Sequence, residues 1–251
     1  MPRFIAFAFA LAAFASPSSA VAQGQPNEIP DYIAAAIGDP SRDAETAKED
    51  AGRKPADVLV FLGVKPGDRI ADLGPGQGYY THLLSRVVGE GGRVYAANLD
   101  WIAARFPKSE DGVKALDARY ANVTGMTVPM AAPEFPEPLD AAIISLLYHD
   151  GHWQKVDMAS MNTHLLASLK PGGVFVIIDH VAEAGSGARD VGTLHRIDPA
   201  LVRQEVEAAG FVFDGESDVL RNPDDPHTES VFGSLRGSTD KFLYRFRKPP
   251  E

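Results

Sequence analysis

The stretch Arg69–Val88, RIADLGPGQGYYTHLLSRVV, constrains the fold more than any other part of the chain. A short apolar run, Ile70–Leu73, leads straight into Gly74-Pro75-Gly76-Gln77-Gly78. Apolar residues then recur at Tyr80, Leu83, Leu84, Val87 and Val88, the spacing of one helical face. The pattern predicts a strand, a glycine turn and a helix. Glycines let a backbone bend sharply and approach a ligand, and free N–H groups at a helix start favour polar or anionic groups. A nucleotide-like ligand is expected there. A dinucleotide fingerprint needs its third glycine one residue later, where Tyr79 stands, so an NAD-dependent oxidoreductase is disfavoured.

The 251 residues suffice for one substantial α/β domain with additions, and 45% hydrophobic content at ordinary charge density predicts a packed core. A formal charge of -10 argues against nucleic acid as a partner, since phosphate binding usually calls for a basic face. With no cysteine, the chain has no disulfide framework, no cysteine-ligated zinc and no thiol nucleophile.

Residues 1–22 have the composition of a secretory signal peptide. Arg3 precedes the apolar run Phe4–Phe14, and Ala20-Val21-Ala22 supplies small residues for cleavage. The run is short for a bilayer span, so the expectation is a periplasmic or secreted protein with no stable membrane anchor once the leader is removed. Residues 23–54 form an acidic, Ala- and Pro-containing appendage with a short helix at Asp31–Ile37 closed by Gly38. Its mixed-charge end is a candidate lid that brings Arg42 or Arg53 to an acidic group. The main domain is assigned to 55–251.

Within it, Pro55–Leu62 is helical, and Arg93–Ala97 is a second strand ending near Asn98 and Asp100. Val123–Val128 is a third strand. Leu139–Leu147, an unbroken apolar run, suits a fourth strand buried on both faces and lying next to the first. Lys155–Leu169 is a covering helix, and Lys170-Pro171-Gly172-Gly173 turns into a fifth strand ending at Asp179. Asp198-Pro199 opens a helix that Gly210 closes, and Phe211–Asp218 and Lys241–Arg247 are closing strands antiparallel to one another. Leu220–Ser238 between them is loop. Alternating strands and helices imply parallel βαβ units.

Asp72-x-Gly74-x-Gly76-x-Gly78 at a strand–helix turn resembles the first motif of class I S-adenosylmethionine-dependent methyltransferases, and Lys170-Pro171-Gly172-Gly173 resembles their second signature. The resemblance runs from about Pro55 to Lys248. It implies a Rossmann-like, doubly wound, mostly parallel seven-stranded sheet with an antiparallel last strand, in three α/β/α layers. It implies S-adenosylmethionine as cofactor, with Asp72, Gly74, Gly76 and Gly78 at its methionine part and Asn98 and Asp100 near the ribose. Asn98 departs from the family, where an acid usually stands, and Met130-Ala131-Ala132 replaces the acid or amide often found near the adenine. More narrowly, the chain resembles exported bacterial predicted methyltransferases, a likeness that brings no substrate with it.

Ligands of such sheets bind beyond the carboxyl ends of the strands. Tyr148-His149-Asp150-Gly151-His152-Trp153 follows the fourth strand, and Asp179-His180 ends the fifth, with His195 further on. Methyl transfer to an O–H or N–H acceptor needs a proton acceptor, and histidine suits that task near neutral pH. His149 is the candidate base, Asp150 its orienting group, and His180 and His195 the alternatives. The same groups are suitable nitrogen and oxygen metal ligands, but no compact ligand spacing such as His-Glu-x-x-His supports a metal, and none is expected. Tyr79, Tyr80, Trp101, Tyr148 and Trp153 are candidates for an aromatic pocket, and Asp224-Asp225-Pro226-His227 with Arg236 for its cap. The expected activity is methylation of a small-molecule or envelope acceptor. The alternative is an exported protein of the same fold that binds a nucleoside-like ligand without turning it over.

Overall fold

The computed structural model describes Met1 and residues 28–250, so all but the first residue of the expected leader lies outside the described residues. The appendage supplies three short helices: α1 (Asp31–Ile37), α2 (Ala44–Ala47) and α3 (Asp50–Arg53). The Asp43 carboxylate caps α2 by accepting the Glu45 and Thr46 N–H groups, and α1 buries Ile33 and Ala36 in the core. Helix α4 (Pro55–Leu62) starts on a proline, whose missing N–H costs nothing in a first turn, and ends on Gly63 with φ +76.

Then follow β1 (Arg69–Leu73), α5 (Tyr79–Val88), β2 (Arg93–Leu99), α6 (Asp100–Arg105), α7 (Lys108–Arg119), β3 (Val123–Val128), β4 (Leu139–Ser145) and α8 (Tyr148–Trp153). The chain continues through α9 (Met158–Ser168), β5 (Leu169–His180), α10 (Pro199–Ala208), β6 (Val212–Glu216) and β7 (Lys241–Arg247). The strands form a seven-stranded sheet in the order β3-β2-β1-β4-β5-β7-β6. β7 alone runs against its neighbours, pairing antiparallel with both β5 and β6. The order reverses between β1 and β4, and a ligand crevice is expected at that switch point.

Side chains alternate across the sheet and divide the core in two. Ile70, Val94, Ile143 and Val176 face the layer of α1, α4 and α5, whereas Leu73, Ala97, Ile144 and Ile177 face the layer of α8, α9 and α10. Ile143 and Ile144 are both fully buried, which is why this strand reads as an unbroken apolar run; each contributes about 1.5–3 kcal/mol of transfer free energy.

The observed elements follow the expected ones with local differences. β4 stops at Ser145 rather than Leu147 because Leu146 turns into the left-handed region, φ +61, with its N–H on the Ile178 carbonyl. The next residues coil into α8, a helix to which the sequence pattern assigns no element. The helix expected from Lys155 begins at Met158, where the Asp157 carboxylate accepts the Ser160 N–H. Helices α6 and α7 were not anticipated: α7 buries only Val113 and Leu116, too sparse a stripe to show as a period. Among the described residues, no helix is long and apolar enough to cross a membrane.

Candidate active site

At the carboxyl end of β1, Gly74 takes φ +74 and donates its N–H to the Ala97 carbonyl at 2.8 Å. A Cβ on Gly74 would lie 2.1 Å from Leu147 Cδ1, so a side chain there has neither the backbone freedom nor the room. Gly76, φ +55, differs: nothing lies within 4 Å of its would-be Cβ, so the outer face of the turn is open. No side chain caps the start of α5, whose first N–H groups face the same turn. Asp72 lies beneath, buried, accepting the Thr81 hydroxyl at 2.6 Å; burial pushes its carboxyl up to about 6 against the pull of that hydrogen bond.

At the end of β2, Asn98 is buried and donates to Ser109 Oγ at 2.9 Å. Asp100 is exposed and accepts the Met130 N–H at 3.1 Å, tying the start of α6 to the end of β3. The open Gly76 face, the uncapped helix start and these polar groups fit a cofactor with a charged amino-acid end and a ribose. The expected lid packs on α5. The Asp50 carboxylate accepts two hydrogen bonds from Arg42, at 2.8 and 2.7 Å, and one from the Tyr79 hydroxyl at 2.6 Å. Arg53 pairs with Glu49 and lies 4.6 Å over the Tyr79 ring.

The second half of the site comes from β4, β5 and the segment after β5. Asp179, completely buried, accepts the His149 ring Nδ1–H at 2.8 Å and the His149 backbone N–H at 2.8 Å; the His180 backbone N–H adds a third at 2.8 Å. His149 is thereby held with Nε2 outward, 3.3 Å from His195 Nδ1 and 3.5 Å from Asp150 Oδ1. Asp179, not Asp150, orients His149.

The environment separates the histidines. Burial pulls His149 down, but the charge and hydrogen bond of Asp179, aided by Asp150, outweigh it and raise its pKa. Burial drives His180 down to about 3, and its Nδ1 is engaged with the Thr239 hydroxyl at 2.8 Å, so it stays neutral. Burial and the neighbouring His149 lower His195. Burial pushes Asp150 up to about 6. Burial raises Asp179, but the His149 pairing prevails and holds it below the usual carboxylate range.

His149, Asp150, His180 and His195 line one cavity of about 490 Å³ with Trp101, Ile102, Leu147, Trp153 and Phe232. Leu147 is also the residue that a Cβ on Gly74 would strike, so the cavity wall adjoins the glycine turn. Of the five aromatics singled out from sequence, Trp101 and Trp153 line this cavity. Tyr79 and Tyr80 pack in the core, as does Tyr148, whose hydroxyl lies between Asn162 at 2.9 Å and Glu205 at 3.1 Å.

Asp225 and His227 do not face the cavity: Asp225 is spent on the buried guanidinium of Arg196, and His227 Nε2 lies 2.9 Å from Asp240. Those contacts hold the 220–238 loop so that Val231 and Phe232 close the cavity wall. Arg236 lies instead in an adjoining hollow of about 680 Å³ that includes Arg53, Lys241 and His180. Sequence reasoning placed Trp101 at the pocket but missed the α6 helix that carries it together with Ile102, although the apolar pair Trp101-Ile102 directly after Asp100 was a usable signal.

This sheet order, the glycine turn at its switch point and a crevice at the carboxyl ends of β1, β4 and β5 define the fold of the class I S-adenosylmethionine-dependent methyltransferases. Within that class, residues 50–139 match the family described as Protein-L-isoaspartate(D-aspartate) O-methyltransferase. A protein-L-isoaspartate O-methyltransferase of Aeropyrum pernix is 32% identical over a 97-residue alignment that covers 33% of this chain and 37% of that protein. The likeness therefore covers little more than a third of that relative's length.

Among solved structures, an S-adenosylmethionine-dependent methyltransferase from Aquifex aeolicus superposes with a TM-score of 0.55 at 21% identity, covering 81% of this chain and 97% of that one. The [4+2]-cyclase SpnF superposes at 0.56 with 16% identity, covering 84% and 85% of the two chains.

Proposed function

We propose that the chain transfers the methyl group of S-adenosylmethionine to a small acceptor whose apolar body occupies the cavity between Trp101, Trp153 and Phe232. One observation carries this reading: Leu147, whose Cδ1 would stand 2.1 Å from a Cβ on Gly74, also lines the cavity that holds His149, so the cofactor turn and a proton-accepting nitrogen adjoin one another. The cofactor supplies an electrophilic methyl on a sulfonium. Asp72 and the Gly74–Gly78 turn bind its amino-acid end, Asn98 faces its ribose, and the lid carrying Arg42 and Arg53 covers the turn. The acceptor's proton passes to His149 Nε2 in the metal-free protein, while Asp179 fixes the tautomer and stabilises the imidazolium. The apolar walls exclude water from the nucleophile and methyl carbon. The composition of residues 1–22 supports export to the periplasm or beyond and an acceptor found there.

The fold also serves a cyclase, which keeps the second reading in view: a protein that holds a nucleoside-like ligand without methyl transfer. Calorimetric titration with S-adenosylmethionine, S-adenosylhomocysteine and NAD separates the classes; binding of either adenosyl compound and not NAD is expected, and binding of neither sinks the proposal. Incubation with methyl-labelled cofactor and an envelope extract then distinguishes enzyme from binder, since a binder transfers no label. A fusion of residues 1–30 to a reporter active only outside the cytoplasm tests export, and a silent reporter would overturn it.

A further inference from the structure

We propose that His149 Nε2, Asp150 Oδ1 and His195 Nδ1 form a mononuclear zinc-type site whose open coordination position faces the acceptor cavity. The three atoms make a nearly regular triangle, 3.3 Å between the histidines, 3.5 Å from His149 to Asp150 and 3.7 Å from His195 to Asp150. Donors about 2.0–2.2 Å from a tetrahedral metal lie about 3.3–3.6 Å apart, so the triangle matches one face of a tetrahedron with almost no movement. A regular octahedron of the same bond lengths would bring them to about 2.8–3.1 Å, and two imidazoles with one carboxylate suit zinc far better than magnesium.

The surroundings are built for ligation as well. Asp179 accepts the His149 Nδ1–H, which puts the lone pair on Nε2, and a carboxylate behind a ligating histidine is the usual support of a zinc site. His195 is a non-glycine residue held at φ +54, with its ring fixed edge-on between Trp153 at 5.1 Å and Phe232 at 5.0 Å. A residue kept in that conformation by its neighbours points to a positional duty. The protein offers three donors, and all three residues line the cavity that Trp101, Trp153 and Phe232 also line, which leaves the fourth position to a ligand in that cavity.

The metal's role rests on the methyltransferase reading. A thiol or hydroxyl at the open position loses its proton to solvent on coordination. Its lone pair then forms the bond to the methyl carbon as the carbon–sulfur bond breaks, and the electron pair stays on sulfur as a neutral thioether. His149 is then a ligand instead of the base, and the acceptors favoured are thiols and acidic hydroxyls.

The test uses tag-free protein stripped with a chelator and retitrated with Zn²⁺ against a chromophoric competitor, and with Co²⁺ by absorption. One Zn²⁺ per chain and the intense visible bands of tetrahedral Co²⁺ are expected. Affinity should fall at least tenfold in His195→Ala and in Asp150→Ala, and about 10–100-fold in Asp179→Asn, with His164→Ala unchanged. No stoichiometric binding, or binding indifferent to His195→Ala in a folded variant, overturns the site; the wild-type Co²⁺ spectrum decides without any variant. Parallel titration with S-adenosylhomocysteine keeps the two readings apart. Adenosyl binding without metal removes only the metal site, and metal without adenosyl binding removes only the methyltransferase reading.

Discussion

His149 and Asp179 are joined twice, ring Nδ1 to Oδ1 and backbone N–H to Oδ2, each at 2.8 Å, with the carboxylate completely buried. Burial opposes charge on both partners, yet their attraction raises the histidine and lowers the carboxylic acid. A raised histidine contributes stability that is full below its unfolded pKa of about 6.5 and fades as pH climbs through the folded value. A lowered Asp contributes stability present above its unfolded pKa of about 3.9 and lost as pH falls through the folded one. The pair is therefore strongest between these limits. In metal-free protein, Asp179→Asn should cost about 3 kcal/mol or more near pH 5.5 and distinctly less near pH 8.5. Urea unfolding at the two pH values checks this, and equal costs would contradict it.

Gly74 and Gly76 of the turn serve different ends, and single alanines separate them. Gly74→Ala meets Leu147 Cδ1 at 2.1 Å on top of a positive φ, so both stability and ligand binding should fall. Gly76→Ala meets no atom within 4 Å and should cost about 1–2 kcal/mol from its φ of +55 alone. Its methyl group would project into the space assigned to the cofactor. The expected outcome is a small shift in melting temperature with loss of S-adenosylhomocysteine binding; unaltered binding would move the cofactor away from the turn.

The difference between those glycines marks what was legible beforehand. The residues of β1, the turn and α5 declare strand, bend and helical face locally, and Ile143-Ile144 shows burial on both faces by itself. The histidine cluster could be placed only as far as the strand ends. That Asp179, not Asp150, reaches His149 depends on the left-handed turn at Leu146 and on α8, which rotates His149 back over β5. Such a turn is set by tertiary hydrogen bonding, here Leu146 N–H to Ile178, and leaves no mark in a non-glycine residue. The α6 wall was hidden for a related reason: six residues make too short a run for periodicity to register.

Asn98 occupies the place where a carboxylate is usual in the resembling family. Its amide nitrogen is already given to Ser109, leaving a neutral carbonyl oxygen for the ribose. Asn98→Asp should then tighten S-adenosylhomocysteine by about tenfold, about 1.4 kcal/mol, through charge-assisted hydrogen bonds. Asp100→Asn should change it little, because Asp100 Oδ1 is engaged with the Trp101 and Met130 N–H groups. The opposite order of effects in calorimetry would transfer the ribose contact to Asp100.

The buried Arg196–Asp225 pair connects folding to the acceptor wall. Both side chains are inaccessible; the guanidinium lies 2.9 Å from Asp225 and also reaches the Val181 and Glu229 carbonyls, at 3.0 and 2.8 Å. Asp225→Ala leaves that cation without its counter-charge and should cost about 3–5 kcal/mol, whereas pairing it with Arg196→Met removes the stranded charge and should recover part of the loss. Although burial raises Asp225, the His227 and Asp240 N–H groups and Arg196 hold it below the usual carboxylate range. Its contribution is therefore present above about pH 3.9 and lost as pH falls through the folded pKa. Because the pair holds the loop that carries Val231 and Phe232, the double variant should raise KM for the acceptor. The dissociation constant for S-adenosylhomocysteine should stay as it is, since the glycine turn is untouched. Parallel changes in both constants would mean that the loop supports the cofactor site as well.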